Sequence, residues 1–233
     1  MSSRTIRRGP AEGHLGSRRT LCVLPLMHSH RQIRLEWCRS RGYWIAAEWK
    51  QVVFSDESRF NFISDDNRVR VRRPRGECLN PAFAVQRHTD PTSGLMVWGS
   101  ITYHTRSTLV LVLGTMRAQC YVHDIQQPHV LPLMQRLPGA IFQQDNAPPH
   151  MAKVSQDCPR TVTTLLWPAR SPDLFPIKHI WDHLGWQVGH PTSLNELEVR
   201  LQQIWDEMSQ GIIRNLYSSM PDCIASCIRA RGG

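Results

Sequence analysis

Apolar residues recur along this chain at two different periods, and the change of period marks out its elements. From residue 29 to residue 50 the spacing is helical. It predicts a helix, a turn at Gly42 and a second short helix. Ile33, Trp37 and Cys38 form the stripe, with Arg31, Arg34, Arg39 and Arg41 around it. Residues 52–55 are a short apolar run that predicts a buried strand ending at Asp56, and residues 59–63 continue extended. Residues 68–73 alternate with period two. Arg68, Arg70 and Arg72 fall on one face of a predicted strand and Val69 and Val71 on the other. Residues 95–103 and 108–113 read as paired strands, and residues 140–144 as another short strand. A helix is predicted over 117–137, interrupted near Pro128 and Pro132. Residues 161–167 read as a strand stopped by Pro168.

The C-terminal third returns to a period near 3.6. Residues 176–188 are predicted helical, burying Ile177, Ile180, Trp181 and Leu184. Ser193 and Glu196 form a capping box ahead of Leu194, Leu197, Leu201, Ile204, Trp205 and Met208. Residues 211–230 read as two short helices split at Pro221. An antiparallel group of strands comes first, helices then alternate with the remaining strands, and helices close the chain. The fold class is α/β, a mixed sheet with flanking helices.

Charge adds a direction to this picture. The chain of 233 residues carries a formal +9. Residues 1–50 hold 10 Lys and Arg against 3 acids, a net +7, and residues 51–233 hold 18 against 16, a net +2. A basic arm ahead of a near-neutral domain points to a polyanionic partner. Nearly all the cations are Arg, which binds phosphate through two parallel bonds; the only lysines are Lys50, Lys153 and Lys178. A GC-rich gene gives the same Arg bias. Seven cysteines at irregular spacing, without a Cys-x-x-Cys pair, fit neither a disulfide scaffold nor a zinc ribbon. No apolar run is long enough to span a bilayer, and residues 1–20, with five arginines, lack the apolar block of a signal peptide. An intracellular protein is expected.

Candidate chemistry lies at two strand ends, Ser55-Asp56-Glu57-Ser58 and Gln144-Asp145-Asn146-Ala147-Pro148-Pro149-His150. Carboxylates held at adjacent strand ends are able to bind divalent cations against a phosphodiester; a strand-terminal Asp is equally a turn former. These words occur in order with Trp98-Gly99, with Trp167-Pro168-Ala169-Arg170-Ser171-Pro172-Asp173-Leu174 and with Trp181-Asp182. The ensemble resembles the Tc/mariner superfamily of cut-and-paste transposases, in its nematode-type branch, over nearly the whole chain.

That resemblance implies a ribonuclease-H-like catalytic domain over 51–233. It implies a helical linker over 27–50 and, over 1–26, a short, helical, basic remnant of a helix-turn-helix DNA-binding region, most of which is missing. It also implies two Mg²⁺ or Mn²⁺ ions held by three carboxylates. Asp56 matches the first and Asp145 the second. At the third the family's Asp-Leu-Asn-Pro-Ile-Glu reads Asp173-Leu174-Phe175-Pro176-Ile177-Lys178, so Lys178 stands where the acid belongs. Asp145 and Lys178 enclose 32 residues, two fewer than in the family. Asp182, one turn beyond Lys178, is the nearest substitute, although it also matches the family's own Trp-Asp pair. Glu57 is expected on the opposite face from Asp56 and outside the triad.

The expectation is therefore a nuclear transposase-type protein, a homodimer by family, whose partner is double-stranded DNA and whose strand cleavage is impaired. The alternative is a non-catalytic DNA-binding remnant or a fragment that inhibits full-length transposase. Arg4, Arg7, Arg8, Arg18, Arg19, Arg68, Arg70, Arg72 and His150 are the candidate DNA contacts.

Overall fold

The computed structural model describes residues 15–19, 26–61, 70–74, 94–158 and 162–233. The chain divides into two compact units, one of Met1–Pro25 with Ser64–Thr92, the other of Leu26–Ile63 with Ser93–Gly233. In the first unit, β1 (Leu15–Arg19) pairs antiparallel with β3 (Arg70–Pro74), setting Arg19 opposite Arg70, Arg18 opposite Val71 and Ser17 opposite Arg72. The strand predicted around residues 68–73 is thus present. The described part of the basic arm is a strand, not helical as expected, because its backbone bonds go to β3. Arg4, Arg7, Arg8 and Arg68 lie outside the described residues.

The second unit opens with α1 (His28–Arg39) and α2 (Ala46–Trp49). Its sheet has the order β5 (Val110–Val112), β4 (Gly94–Ile101), β2 (Val52–Asn61), β6 (Ile141–Gln143), β7 (Thr163–Thr164). β2 runs antiparallel to β4 and parallel to β6. One face of the sheet is covered by α7 (Pro176–Gln187), α8 (Leu194–Glu207) and α9 (Gln210–Arg229), through a core that includes Phe54, Ile177, Ile180, Trp181, Leu201, Trp205 and Tyr217. The other face holds Val53, Trp98, Tyr121, Ile125 and Phe142. It is covered by a continuous helical stretch of α3 (Ala118–Cys120), a π-helix (Tyr121–Val130) and α4 (Leu131–Gln135), and the short helices α5 (Pro148–Met151) and α6 (Lys153–Asp157) follow β6.

Four expectations change. Residues 27–50 are part of this core rather than a linker: Trp37, Cys38 and Trp49 are buried in it. The helix before β6 is not interrupted at Pro128 or Pro132; it widens into π geometry instead of breaking. Pro221 does not split the last helix. Ile213, Tyr217, Met220, Ile224 and Cys227 recur every three or four residues along one buried face, and that packing outweighs the lost hydrogen bond. The strand near residue 163 shrinks to Thr163–Thr164. The cap at Ser193 forms as expected, its hydroxyl accepting the Glu196 N–H at 3.1 Å, while the Glu196 carboxylate reaches back to Thr192.

Candidate active site

Asp56 does not end a strand. β2 continues to Asn61, paired with β4 along its whole second half, and Asp56 sits opposite Gly99. Its parallel pairing with β6 stops at Phe54 opposite Gln143. Asp56 and Asp145 therefore each lie two residues beyond the last registered pair of adjacent strands, at the point where β6 leaves the sheet.

The side chain of Asp56 is turned toward α7 and is almost wholly buried. Trp181 donates its indole N–H to Oδ2 at 2.7 Å, and the Lys178 ammonium lies 2.6 Å from the same oxygen. One turn of helix separates the two donors, so a single face of α7 delivers both. Gly99 makes this possible. A Cβ there would lie 2.7 Å from the Trp205 ring and 3.0 Å from the Trp181 ring, which stack on each other at 5.4 Å. Burial pushes the Asp56 carboxyl up to about 6, against the pull of Lys178 and the Trp181 bond. Lys178 is about one-third exposed (35%), so its charge still meets solvent.

Asp145 is held differently. Its Oδ1 accepts the Ala147 N–H at 2.9 Å and a bond from His150 Nδ1 at 2.8 Å. The turn through Pro148 and Pro149 brings His150 back beneath the carboxylate. The other ring nitrogen of His150 reaches Glu57 at 3.2 Å. Glu57 follows Asp56 in the strand and faces the other side of the sheet, as the alternation of a strand requires. Burial opposes a charge on His150, but the bonds to Asp145 and Glu57 outweigh it and lift its pKa to about 10. Burial likewise opposes the Asp145 carboxylate. The His150 and Ala147 bonds overcome it, helped by the charges of His150 and Lys178, and hold Asp145 below the usual carboxylate range.

Three carboxylates, Asp56, Glu57 and Asp145, thus meet two internal cations, Lys178 and His150. His150 is 1% exposed and packs its ring 4.4 Å from that of Tyr121. His150, a candidate DNA contact in the sequence, is a buried clamp between two acids. Tyr121 and the Glu57 link are the parts that sequence reasoning missed. A tyrosine on a predicted helix carries no sign of its partner; only the odd proline content of 121–132 hinted that the helix was unusual. Trp98 bonds Ser55 Oγ at 2.9 Å, and Trp167 packs on Trp37 and Phe175, both as core residues. Asn146 ties its loop to the Trp167 carbonyl at 2.9 Å. Asp182 is exposed and makes no contact with Asp56 or Asp145 in the hydrogen bonds of the described residues. Arg18, Arg19, Arg70 and Arg72 lie on the two-stranded ribbon of the other unit.

The donor set does not fit two metal ions. The family's third carboxylate is replaced by a cation already bonded to the first, and the second is engaged by His150. Among the described residues no group of three or more His, Cys, Asp or Glu side chains is arranged to hold a metal ion.

The DDE superfamily endonuclease profile matches residues 51–198. The Tcb2 transposase of Caenorhabditis briggsae is 31% identical over 237 residues, covering 99% of this chain and 86% of that protein. Among solved structures, the Mos1 transposase paired-end complex with left transposon end matches with a TM-score of 0.74 at 18% identity, covering 100% of this chain and 71% of that one. The Mos1 mariner paired-end complex with Mn matches with a TM-score of 0.73 at 17% identity, covering 100% and 72%. The catalytic unit is accordingly a ribonuclease-H-like domain. With the ordered motifs, the strand arrangement and these matches together, the chain belongs to the DDE superfamily endonucleases, as a transposase of the Tc/mariner type.

Proposed function

We propose that this chain binds double-stranded DNA in the nucleus as a transposase-family protein but does not cleave it with Mg²⁺ or Mn²⁺. The observation that carries the reading is the 2.6 Å contact between Lys178 and Asp56. An ammonium in that place supplies charge without a coordination site. It competes with any divalent ion for the carboxylate and removes the third oxygen ligand. The relatives with Mn and with transposon-end DNA support a metal-dependent ancestor acting on DNA. The surplus of arginine supports phosphate contacts, and the reading includes a homodimer as the family resemblance suggests. Binding is expected to be weak, indifferent to sequence and steeply salt-dependent.

The test pairs metal binding with cleavage. The native chain is expected to give no calorimetric signal with Mn²⁺, no thermal shift, and no cutting of DNA that carries the element's ends. Lys178→Glu should create a metal-dependent rise in melting temperature, because a ligand that binds only the folded state stabilises it. Cleavage should return only in part, since the spacing to Asp145 stays two residues short. Mn²⁺-dependent cutting by the native chain, abolished by Asp145→Ala, would refute the reading.

A further inference from the structure

At the other end of the same sheet, cations gather without ion-pair partners among the described residues. Gly99 lies opposite Asp56, and Tyr103 follows the far end of β4. At about 3.3 Å per residue the two points are roughly 13 Å apart. The Lys50 ammonium sits 4.5 Å from the centre of the Tyr103 ring, and the Arg214 guanidinium 5.8 Å from it. Tyr103 is held in place by Tyr217, 6.0 Å away, whose hydroxyl lies 2.7 Å from the Val52 carbonyl and 2.9 Å from that of Ile101. Arg106 lines one pocket with Arg214 and donates to the carbonyls of Asp206 and Met208 where α8 ends.

None of these three cations has a carboxylate ion-pair partner among the described residues. Asp206, the acid that lines the same pocket, accepts the Gln202 amide on both oxygens, one turn back on its own helix. An open pocket of about 500 Å³, lined by Arg106, Ser107, Thr108, Asp206, Gln210 and Arg214 among others, adjoins the cluster through Arg214. Like charges drawn to one aromatic ring repel each other, and an anion placed between them removes that cost. The pocket is shallow and carries hydroxyls beside the cations. That shape suits a phosphate chain passing across it rather than a small anion enclosed by it.

We propose that Lys50 and Arg214, which flank the Tyr103 ring, together with Arg106, which lines the adjoining pocket with Arg214, form a second phosphate-binding site for the backbone of duplex DNA, remote from the carboxylates. The proposal rests on the reading that this chain binds DNA. It adds a patch that the arginine-rich first unit does not supply.

Fluorescence anisotropy with a 30-base-pair duplex, over a salt series, tests it. Lys50→Ala with Arg214→Ala is compared with a charge-matched control, Arg117→Ala with Arg229→Ala, all four side chains being exposed. The first variant is expected to bind roughly tenfold more weakly, and its slope of log affinity against log salt should shrink by about 2, while the control stays near the native value. Melting curves by circular dichroism should be unchanged in both. A native slope in the first variant, beside normal binding by the native chain, overturns the proposal and leaves the DNA-binding reading intact. Absence of salt-dependent duplex binding by the native chain overturns both. Equal competition by inorganic phosphate at matched phosphate concentration overturns it in favour of a small-anion site.

Discussion

His150 keeps a charge that its burial opposes, and the consequence is measurable. Its pKa rises from the ordinary 6.5 to about 10 because Asp145 and Glu57 flank it. The folded chain therefore holds this proton more tightly than the unfolded chain. The stability gained is complete below pH 6.5 and is lost as pH rises through about 10. Urea unfolding from pH 6 to pH 10 should show that decline, and His150→Gln should flatten it. His150→Ala leaves two acids facing each other without a cation and should cost about 3–5 kcal/mol at neutral pH. Asp56 adds a fall at lower pH: its carboxyl is raised to about 6, so folding is most favoured while it is protonated, and the penalty grows between 3.8 and 6. Asp56, Asp145 and Lys178 were legible in the sequence because unusual words surround them. The burial of His150 was not, since a histidine after two prolines reads the same whether it faces water or a carboxylate.

Strand β4 shows how one element serves two cores. Trp98 faces the π-helix and bonds Ser55, whereas its neighbour Gly99 leaves room for Trp181 and Trp205 on the other side. Gly99→Ala should cost about 1–3 kcal/mol through overpacking. It should also loosen the Trp181 bond to Asp56, seen as a shift in tryptophan emission; an unchanged spectrum and melting point would show that the rings yield freely. In α9, Pro221→Ala restores a donor to an intact helix and should stabilise the chain by about 1–3 kcal/mol. The type of most elements could be read from periodicity. Their lengths could not, because β2 is prolonged by its ladder to β4 and α9 by its buried face. Both are tertiary effects invisible in a local window.

At the scale of the molecule, the family profile begins at residue 51, yet the core does not. Trp37 and Trp49 are buried against α9 and its neighbours, and Arg34 binds Asp173 through two bonds of 2.6 and 2.7 Å while also donating to the Gly232 carbonyl. Losing two such tryptophans costs about 3–5 kcal/mol each, comparable to the whole stability of a domain. A fragment of residues 51–233 should bind hydrophobic dyes and melt without cooperativity, whereas residues 26–233 should melt as the full chain does. The resemblance sets 27–50 apart as a linker, and patterning does not correct it, because a helix ringed with arginine looks self-sufficient until its partner is known. The strands β2 and β4 raise a different matter, that of time. They are neighbours in the sheet, but residues 62–93 separate them in the chain, and most of those belong to the other unit. Closing a loop of that length instead of a tight turn costs about 2 kcal/mol of chain entropy. The ladder must therefore form slowly, and the parallel pairing to β6 still later. Helices α8 and α9, whose backbone hydrogen bonds are local, need not wait. In refolding experiments helical circular dichroism should recover before the fluorescence of Trp181. A newly made chain thus carries Asp56, Asp145 and Lys178 as separate, hydrated charges through most of its folding, and joins them only at the end.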